Sequence, residues 1–289
     1  MNDFWIILTA SLVAINASIL GVFLVLRKMS MMGDAISHAV LPGIVIAYFF
    51  SGDRTSIFML IGAALTGVIT SLLIDWLSKK AKIQNDAAIG ITYTLFFALG
   101  MIMIAGWLKG NVDIDMECVL YGDIALINLD KVIVDGNLYL GPRAFWIETT
   151  AFLVVMLVTI IGFKGFKLLS FNLDYGRSLG VKMSTWHVVM MGLVSLVTVM
   201  SFEVVGAVLV VGFLIIPAAT AQLVSKKLVQ MIGLACGFGV VAVFIGYALA
   251  VTWDVSITGA MVASSGLIFF SILMVQYLQQ KLRRKRYVH

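Results

Sequence analysis

Long apolar runs alternate with short polar connections along almost the whole chain. A helix needs about 20 mostly apolar residues to cross the hydrocarbon core of a bilayer. Runs of this kind lie near 4–26, 35–50, 57–77, 86–107, 144–163, 186–202, 204–223, 228–250 and 257–278. The second run is short, and only the stretch SFEVVG separates the sixth run from the seventh. The pattern therefore predicts eight or nine membrane-spanning helices.

Composition agrees with this pattern. Hydrophobic residues make up 61% of the 289 residues and charged residues only 12%, and the mean hydropathy is +1.06. Soluble domains carry about 25% charged residues. The predicted fold class is therefore all-α, a polytopic transmembrane helical bundle in a lipid bilayer. Because no stretch resembles a soluble domain, we predict one transmembrane domain over residues 1–289.

The basic residues indicate how the spans are oriented. Cytoplasmic connections of membrane proteins are enriched in Lys and Arg. With nine spans and the N-terminus outside, 16 of the 20 basic residues fall in the inner connections and the C-terminal tail. This bias predicts an odd number of spans and a cytoplasmic C-terminus. The basic tail QQKLRRKRYVH then faces anionic lipid, so we predict no nucleic-acid partner.

The stretch GDAISHAVLPG, at the start of the second run, carries the most informative polar residues. Asp34 and His38 are four residues apart, which places both on one helical face with Cβ atoms about 5–6 Å apart. Ionisable residues within spans are costly and are therefore candidates for function. A carboxylate and an imidazole together suit manganese, iron or zinc. The alternative is that Asp34 caps the helix while His38 forms hydrogen bonds within the bundle.

The region around this pair is expected to be irregular. Pro42 and Gly43 follow closely and predict a kink or break in the second span. A broken helix is one place where backbone groups can line a cavity within a membrane.

Other ionisable residues in or near the spans are weaker candidates. Asp86 opens the fourth run, where the role of a helix N-cap explains it as well as a metal path does. Glu203 lies at the outer turn between the sixth and seventh runs, either as a vestibule acid or as an exposed interface residue. Asp75 is expected to pair with a nearby lysine, and His187 to anchor the chain at the inner interface.

Pairs of small residues four apart predict where helices approach each other closely. Small side chains let helix backbones come together in lipid. Ala63 and Gly67 form one such pair, and Gly233 and Gly237 form another. We assign both pairs to helix packing rather than to chemistry.

The inner connection near 164–185 contains a predicted short helix. Asn172 is a good N-cap, and Gly180 is a good residue just beyond the C-terminal end. Asp174 falls in the first turn, where the helix dipole favours a carboxylate. A capped, half-apolar helix between two spans suits docking to another protein.

Motifs for nucleotide binding and for catalysis are absent from the sequence. There is no G-x-x-x-x-G-K-[ST] phosphate loop, so the chain does not bind ATP in that manner. There is also no G-x-S-x-G or H-E-x-x-H motif on which an enzyme could be built. The sequence therefore predicts a protein that is not itself an enzyme.

Four segments resemble, in order, the membrane permease subunits of bacterial ABC importers for manganese, zinc and iron. They are MGDAISHAVLPGIVIAY, CVLYGDI, LLSFNLDYGRSLGV and VVGAVLVVGFLIIPAATAQLVSKKL. The first looks like the signature at the start of the family's second span, and it is closer to the manganese/iron branch than to the zinc branch. The third resembles the cytoplasmic segment that such permeases dock into their ATPase.

The resemblance implies a type II ABC importer permease with several partners. These are a second permease subunit, an ATP-binding cassette subunit that hydrolyses the ATP, and an extracytoplasmic metal-binding protein. No cofactor is bound permanently, and the transported ion is Mn, Fe or Zn. Asp34 and His38 become ligands on the translocation path, with Asp86 and Glu203 as further candidates. The coupling helix lies near 173–180, and its contact residues are Leu173, Asp174, Tyr175, Gly176, Arg177, Leu179 and Gly180.

The predicted function is the permease subunit of an ATP-driven importer of divalent transition metals, with manganese expected first. One alternative is a secondary metal/proton transporter in which Asp34 and Asp86 relay protons, and which needs no ATPase. Another is an ABC permease for an organic metal chelate, which would tolerate the loss of His38.

Overall fold

The fold was analysed in a computed structural model that describes residues 2–51, 57–107, 124–127, 131–134 and 138–286. Nine helices within these residues are long and apolar enough to cross a membrane. The predicted all-α bundle is confirmed, and the described residues contain nine candidate spans rather than eight. The spans are Asp3–Leu26, Met32–Ser51, Ile61–Lys80, Asn85–Gly106, Arg143–Phe171, Met183–Val205, Ala207–Val224, Leu228–Trp253 and Ile257–Gln279.

Eleven α-helices are present in the described part of the chain, because the second span is divided and a short helix follows the fifth span. In order they are α1 Asn2–Leu26, α2 Met32–Ala39, α3 Leu41–Ser51, α4 Ile57–Lys80, α5 Asn85–Trp107, α6 Arg143–Phe171, α7 Leu173–Ser178, α8 Met183–Val205, α9 Ala207–Val224, α10 Leu228–Trp253 and α11 Ile257–Arg286.

A small hairpin, which the apolar pattern does not predict, precedes α6. Its strands are β1 Lys131–Val134 and β2 Leu138–Pro142, paired antiparallel with Lys131 opposite Pro142 and Val134 opposite Leu138. One 3₁₀ turn, Ile124–Leu126, lies before it. The acidic residues between α5 and α6 lie outside the described residues, and they are Asp113, Asp115, Glu117, Asp123, Asp130 and Asp135.

Two breaks in the helices define how the spans are divided. Val40 separates α2 from α3, and Pro42 then lies in the first turn of α3, where its missing N–H costs little. Gly206 separates α8 from α9 with φ 79° and ψ 164°, a conformation that a residue with a Cβ rarely adopts. The predicted irregularity of the second span is confirmed, and the sixth and seventh spans are distinct helices.

Close packing on small residues holds the bundle together around α1, which contacts α6, α8, α9 and α10. A Cβ on Gly21 of α1 would overlap the backbone carbonyl of Leu214 in α9. A Cβ on Gly67 of α4 would overlap the Ser195 hydroxyl of α8. Such close approaches replace the hydrophobic driving force that helices lack in lipid.

The two predicted small-residue pairs have different outcomes. Ala63 is buried and Gly67 meets α8, so the packing role of this pair is confirmed. A Cβ on Gly233 or Gly237 would have no atom of the described chain within 4 Å, so this pair packs against no described helix and its packing role stays a prediction. The four-residue spacing of small side chains identifies a helix face that a neighbour can approach closely. It does not identify which helix, if any, packs there.

Candidate functional site

The Asp34–His38 pair occupies the one open face of α2. Of the 8 residues in this helix, all but these two are buried. The Asp34 side chain is 40% exposed and the His38 side chain 38%, and Asp34 Oδ1 lies 3.7 Å from His38 Nε2. The pair predicted from i, i+4 spacing is therefore present, with both metal-binding groups pointing the same way.

The N-cap alternative for Asp34 is wrong. Met31 is the N-cap residue of α2, so Asp34 lies inside the first turn. A carboxylate there still interacts favourably with the helix dipole. The Ser37 hydroxyl donates to the backbone carbonyl of Asp34. Within the described residues it forms no hydrogen bond with the His38 ring.

Aromatic rings of α5 line one side of the pair. The His38 ring lies 5.9 Å from the Tyr93 ring and 6.1 Å, edge to face, from the Phe97 ring, centroid to centroid. These rings fix the imidazole orientation while its Nε2 stays directed toward Asp34. A carboxylate and an imidazole held in this way can both reach one divalent ion.

The pair does not form a complete metal site within the described residues. No group of three or more His, Cys, Asp or Glu residues there could hold a metal ion. Two protein ligands with open positions are the arrangement expected where an ion binds briefly and leaves. The described residues alone therefore offer two ligand-type side chains at this face.

The structure does not bring Asp86 or Glu203 next to the pair. Asp86 is exposed in the first turn of α5, which begins at Asn85, so it lies two residues beyond the N-cap position, Gln84, and its predicted N-cap role is wrong. It lies seven residues before Tyr93, the residue that contacts the His38 ring. Glu203 is exposed near the C-terminal end of α8.

The predicted short helix after the fifth span is confirmed as α7. The Asn172 side chain accepts a hydrogen bond from the Tyr175 N–H at 3.0 Å, as an N-cap does. At the other end Gly180 has φ 75°, its N–H donates to the Arg177 carbonyl, and the Val181 N–H donates to the Gly176 carbonyl. This pair of bonds is a Schellman motif, which ends a helix sharply.

One face of α7 is free and the other is packed. Leu173, Tyr175 and Leu179 are exposed apolar residues, and Asp174 and Arg177 form an exposed ion pair at 3.3 Å. Gly176 is buried, and a Cβ there would lie 2.5 Å from the Met183 methyl group in α8. The short helix therefore rests on the start of α8 and presents an amphipathic surface outward.

The start of α8 is joined to the ends of α1 and α4 by a partly buried ionic cluster around His187. The Arg27 guanidinium donates to His187 Nδ1 at 2.6 Å, so His187 carries its proton on Nε2, which lies 3.2 Å from Asp75 Oδ2. Asp75 also pairs with Lys79, as predicted. Burial lowers the pKa of the Arg27 guanidinium, and the Asp75 carboxylate opposes that shift.

The prediction that His187 is an interfacial anchor is wrong. His187 is buried, whereas an anchor would place its polar tip in water. Its neighbour Trp186 packs against α6, where Cβ atoms on Gly162 or Gly165 would overlap the indole. The sequence places His187 next to Trp186, but it does not show that the ends of α1 and α4 lie against the His187 ring.

One buried acid was missed by sequence reasoning. Glu148 in α6 is fully buried and accepts a hydrogen bond from Asn16 Nδ2 of α1 at 3.1 Å. The signal was available, because an acid lies inside the predicted run 144–163. Its partner is 132 residues away in sequence, so no local pattern connects them.

The fold and these sites define a class of protein, a polytopic helical membrane permease with one open polar pair and a capped helix between two spans. The comparison with family models gives the family. Residues 3–276 match the model of the ABC 3 transport family. The chain belongs to this family.

Individual proteins of known role or structure are similar to this chain along most of their own lengths. The chain is 41% identical over 270 residues to the manganese transport system membrane protein MntD of Bacillus subtilis (strain 168), covering 93% of this chain and 90% of the relative. It is 34% identical to the zinc transport system membrane protein TroD of Treponema pallidum (strain Nichols), covering 91% of this chain and 71% of the relative. The solved structure of PsaBC from Streptococcus pneumoniae in complex with Fab matches with a TM-score of 0.76 and 32% identity, covering 96% of this chain and 94% of the other.

Proposed function

We propose that this chain passes divalent transition-metal ions inward through the membrane, Mn²⁺ before Zn²⁺ or Fe²⁺, as the permease subunit of an ATP-driven importer. The observation that carries the proposal is the open Asp34–His38 face on an otherwise buried helix. Relatives named for manganese and zinc transport cover nearly the whole chain and support the choice of cargo.

The donor set fits this cargo. A carboxylate oxygen and an imidazole nitrogen suit first-row divalent ions, whereas calcium prefers oxygen ligands alone and copper(I) prefers sulfur. An ion that loses part of its hydration shell can bind Asp34 and His38 in place of water. Affinity has to stay modest, because a transported ion must also leave.

A second permease subunit completes the path in this proposal. The pair is partly exposed, and the described residues supply no third ligand of the acid, histidine or cysteine type beside it. A neighbouring subunit can approach such an open face and contribute further ligands or enclose the ion. The polar exposed residues Asp86 and Glu203 are candidates for the two mouths of the path, away from the pair itself.

We further propose that α7 couples the permease to a separate ATP-binding cassette subunit. Its apolar residues Leu173, Tyr175 and Leu179 are exposed, and its other face rests on α8. Because α8 also carries His187, a push on α7 reaches the ends of α1 and α4 through packed and hydrogen-bonded groups. An extracytoplasmic metal-binding protein delivers the ion to the opposite side, with the N-terminus outside and the C-terminus in the cytoplasm.

Cellular metal content tests the proposed cargo. Cells that lack this gene, grown in metal-limited medium, should contain less manganese than the parent, and a plasmid copy should restore it. Zinc and iron measured in the same samples serve as internal controls for the choice of metal. Unchanged manganese, zinc and iron contents in the deletion strain would contradict the proposed function.

A further inference from the structure

A second polar cluster lies inside the bundle, where α1, α6 and α8 meet. Its members are Asn16, Glu148 and Ser201, and all three are fully buried. Asn16 Nδ2 donates to Glu148 Oε2 at 3.1 Å and to the Glu148 backbone carbonyl at 3.3 Å. The Ser201 hydroxyl lies beside the same carboxyl group and is close enough to donate to it, so it is a third polar member of the cluster. None of these residues belongs to the Asp34–His38 pair.

Among the described residues, no cation compensates a charge on Glu148. None of the described ion pairs includes it. The hairpin strand β2, which contacts α6, contains no Asp, Glu, His, Lys or Arg, and α7 carries only its own exposed Asp174–Arg177 pair. Charged or titratable groups on the three cluster helices lie at other turns or are exposed, and they are Asp3, Arg143, Lys164, Lys167, His187 and Glu203.

An ionised carboxylate in this position would be costly. Removing an isolated charge from water is so unfavourable that a buried group becomes neutral unless a partner of opposite charge is present. A buried acid surrounded by helices and lipid meets this condition. The neutral form of Glu148 is therefore the form that the surrounding structure favours.

The hydrogen-bond inventory points to the same form. Glu148 Oε1 and Asn16 Oδ1 have no hydrogen-bond partner among the described residues. Oε1 of an ionised carboxylate and Oδ1 of an amide are both acceptors, so they cannot bond to each other. A proton on Oε1 makes it a donor. The Asn16 amide, whose Nδ2 already donates to Oε2, then accepts through Oδ1, and one proton satisfies both oxygens.

We infer that Glu148 is a proton-binding site within the membrane, held as a neutral carboxylic acid in a two-bond pair with the Asn16 amide. The pair links α1 to α6 in a region where lipid gives no hydrophobic drive for helix association. The inference stands on the packing of α1, α6 and α8 and is independent of the proposed function.

Infrared difference spectroscopy tests the protonation directly. The full-length protein in lipid nanodiscs at neutral pH is compared with Glu148→Gln. The wild type should show the carbonyl stretch of a protonated carboxylic acid, and the variant should lose it. Asp254→Asn, at an exposed turn after α10, should leave that band unchanged. A difference spectrum that shows only carboxylate bands would overturn the inference, because Glu148 would then be ionised beside a cation or interior water.

Thermal unfolding provides a second test that does not depend on transport. The glutamine amide in Glu148→Gln can accept from Asn16 Nδ2 and donate to Asn16 Oδ1, so this variant should unfold at the wild-type temperature. Asn16→Leu leaves the acid without its partner and should lower the unfolding temperature by several degrees. Replacing both residues by leucine should recover part of that loss, because paired apolar groups leave no unsatisfied atom. A Glu148→Gln protein as unstable as Asn16→Leu would contradict the neutral pair.

Discussion

At the residue scale, Asp34 and His38 are the two side chains of α2 that helix packing leaves accessible to an ion or to solvent. Their neighbours on α2 are buried against α4, α5, α8 and α9, for example Gly33 against Leu214. The two polar residues share the remaining face, 3.7 Å apart between Oδ1 and Nε2. In the proposed translocation path, a divalent ion would meet two ligands at this face and could still leave, because neither side chain is enclosed.

Another residue-scale consequence concerns Gly21, where α1 touches the backbone of α9. Gly21→Ala places a methyl group on the Leu214 carbonyl, and such overpacking costs about 1–3 kcal/mol. Gly233→Ala is the matched control, because nothing lies within 4 Å of its Cβ position and Ala favours helix by about 1 kcal/mol. Thermal unfolding in detergent should rank Gly21→Ala below wild type and Gly233→Ala at or above it. Equal losses for the two variants would mean that the contact with Leu214 is not tight.

At the element scale, the start of α8 connects several helix ends at one end of the bundle. It supports α7 through Met183, packs on α6 through Trp186 and bonds to Arg27 and Asp75 through His187. The ends of α1 and α4, which are distant in sequence, are therefore connected to the start of α8. Through these contacts α7 is connected to the ends of α1 and α4 within the bundle.

The His187 network gives a prediction about stability. His187→Phe keeps the volume but leaves the half-buried Arg27 guanidinium without its acceptor, and an unsatisfied polar group costs up to about 1–3 kcal/mol, the most when it is fully buried. His187→Gln should lose less, because its amide can accept from Arg27 and donate toward Asp75. Unfolding temperatures of the two variants provide the measurement. If both variants matched the wild type, the network would have no part in holding the three helix ends.

A further element-scale prediction concerns the outer face of α7. The Asp174 side chain is 91% exposed, so Asp174→Lys should leave the unfolding temperature unchanged. It reverses a charge on the proposed docking surface and places a cation near the positive end of the helix. We expect weaker co-purification of the ATP-binding subunit and uncoupled uptake. Asp254→Lys, an exposed change on another connection, serves as the control. Normal co-purification and uptake by Asp174→Lys would contradict the docking role.

At the scale of the whole molecule, helix ends that were predicted to share a side do meet. Arg27, Asp75 and His187 come together at one end, and Trp5 stacks edge to face on Phe145, 5.2 Å between ring centroids, at the other. Gln276 of α11 donates to the Leu223 carbonyl of α9, two more ends assigned to one side. The described residues contain nine candidate spans, the odd number on which the prediction of termini on opposite sides of a membrane depends.

Reporter fusions test which side is which. A reporter fused after residue 125 should lie outside the cytoplasm, and one fused after residue 289 should lie inside, because most basic residues fall in the connections on that side. Alkaline phosphatase and green fluorescent protein activities distinguish the two locations. Two fusions that report the same side would rule out the odd number of spans.

The sequence predicted features that depend on local patterns. The nine spans follow from runs of apolar residues, α7 from Asn172 and Gly180, and the Asp34–His38 face from i, i+4 spacing. Features that depend on distant neighbours were missed or wrong. Glu148 was missed because its partner Asn16 lies on another helix, far away in sequence.

The wrong prediction for His187 and the open one for Gly233 and Gly237 have the same physical cause. His187 was predicted to be an interfacial anchor, but it is buried beside the ends of α1 and α4. The helix face that carries Gly233 and Gly237 has no described neighbour. In a bundle whose helices are apolar on all sides, composition does not identify the face that packs. The three-dimensional contacts must supply that information.

The measurement that tests the account most directly is metal uptake by proteoliposomes that contain the permease, its ATP-binding subunit and its metal-binding protein. Asp34→Asn and His38→Gln keep size and polarity but each removes a good metal ligand. Both complexes should assemble and hydrolyse ATP, yet import radioactive Mn²⁺ at least about tenfold more slowly than wild type. Residues that only hydrogen-bond to a metal ligand already change affinity or activity by about tenfold or more when they are mutated, so the loss of a ligand itself should have at least this effect. Near-wild-type Mn²⁺ uptake by assembled Asp34→Asn complexes would contradict the assignment of this pair to the translocation path.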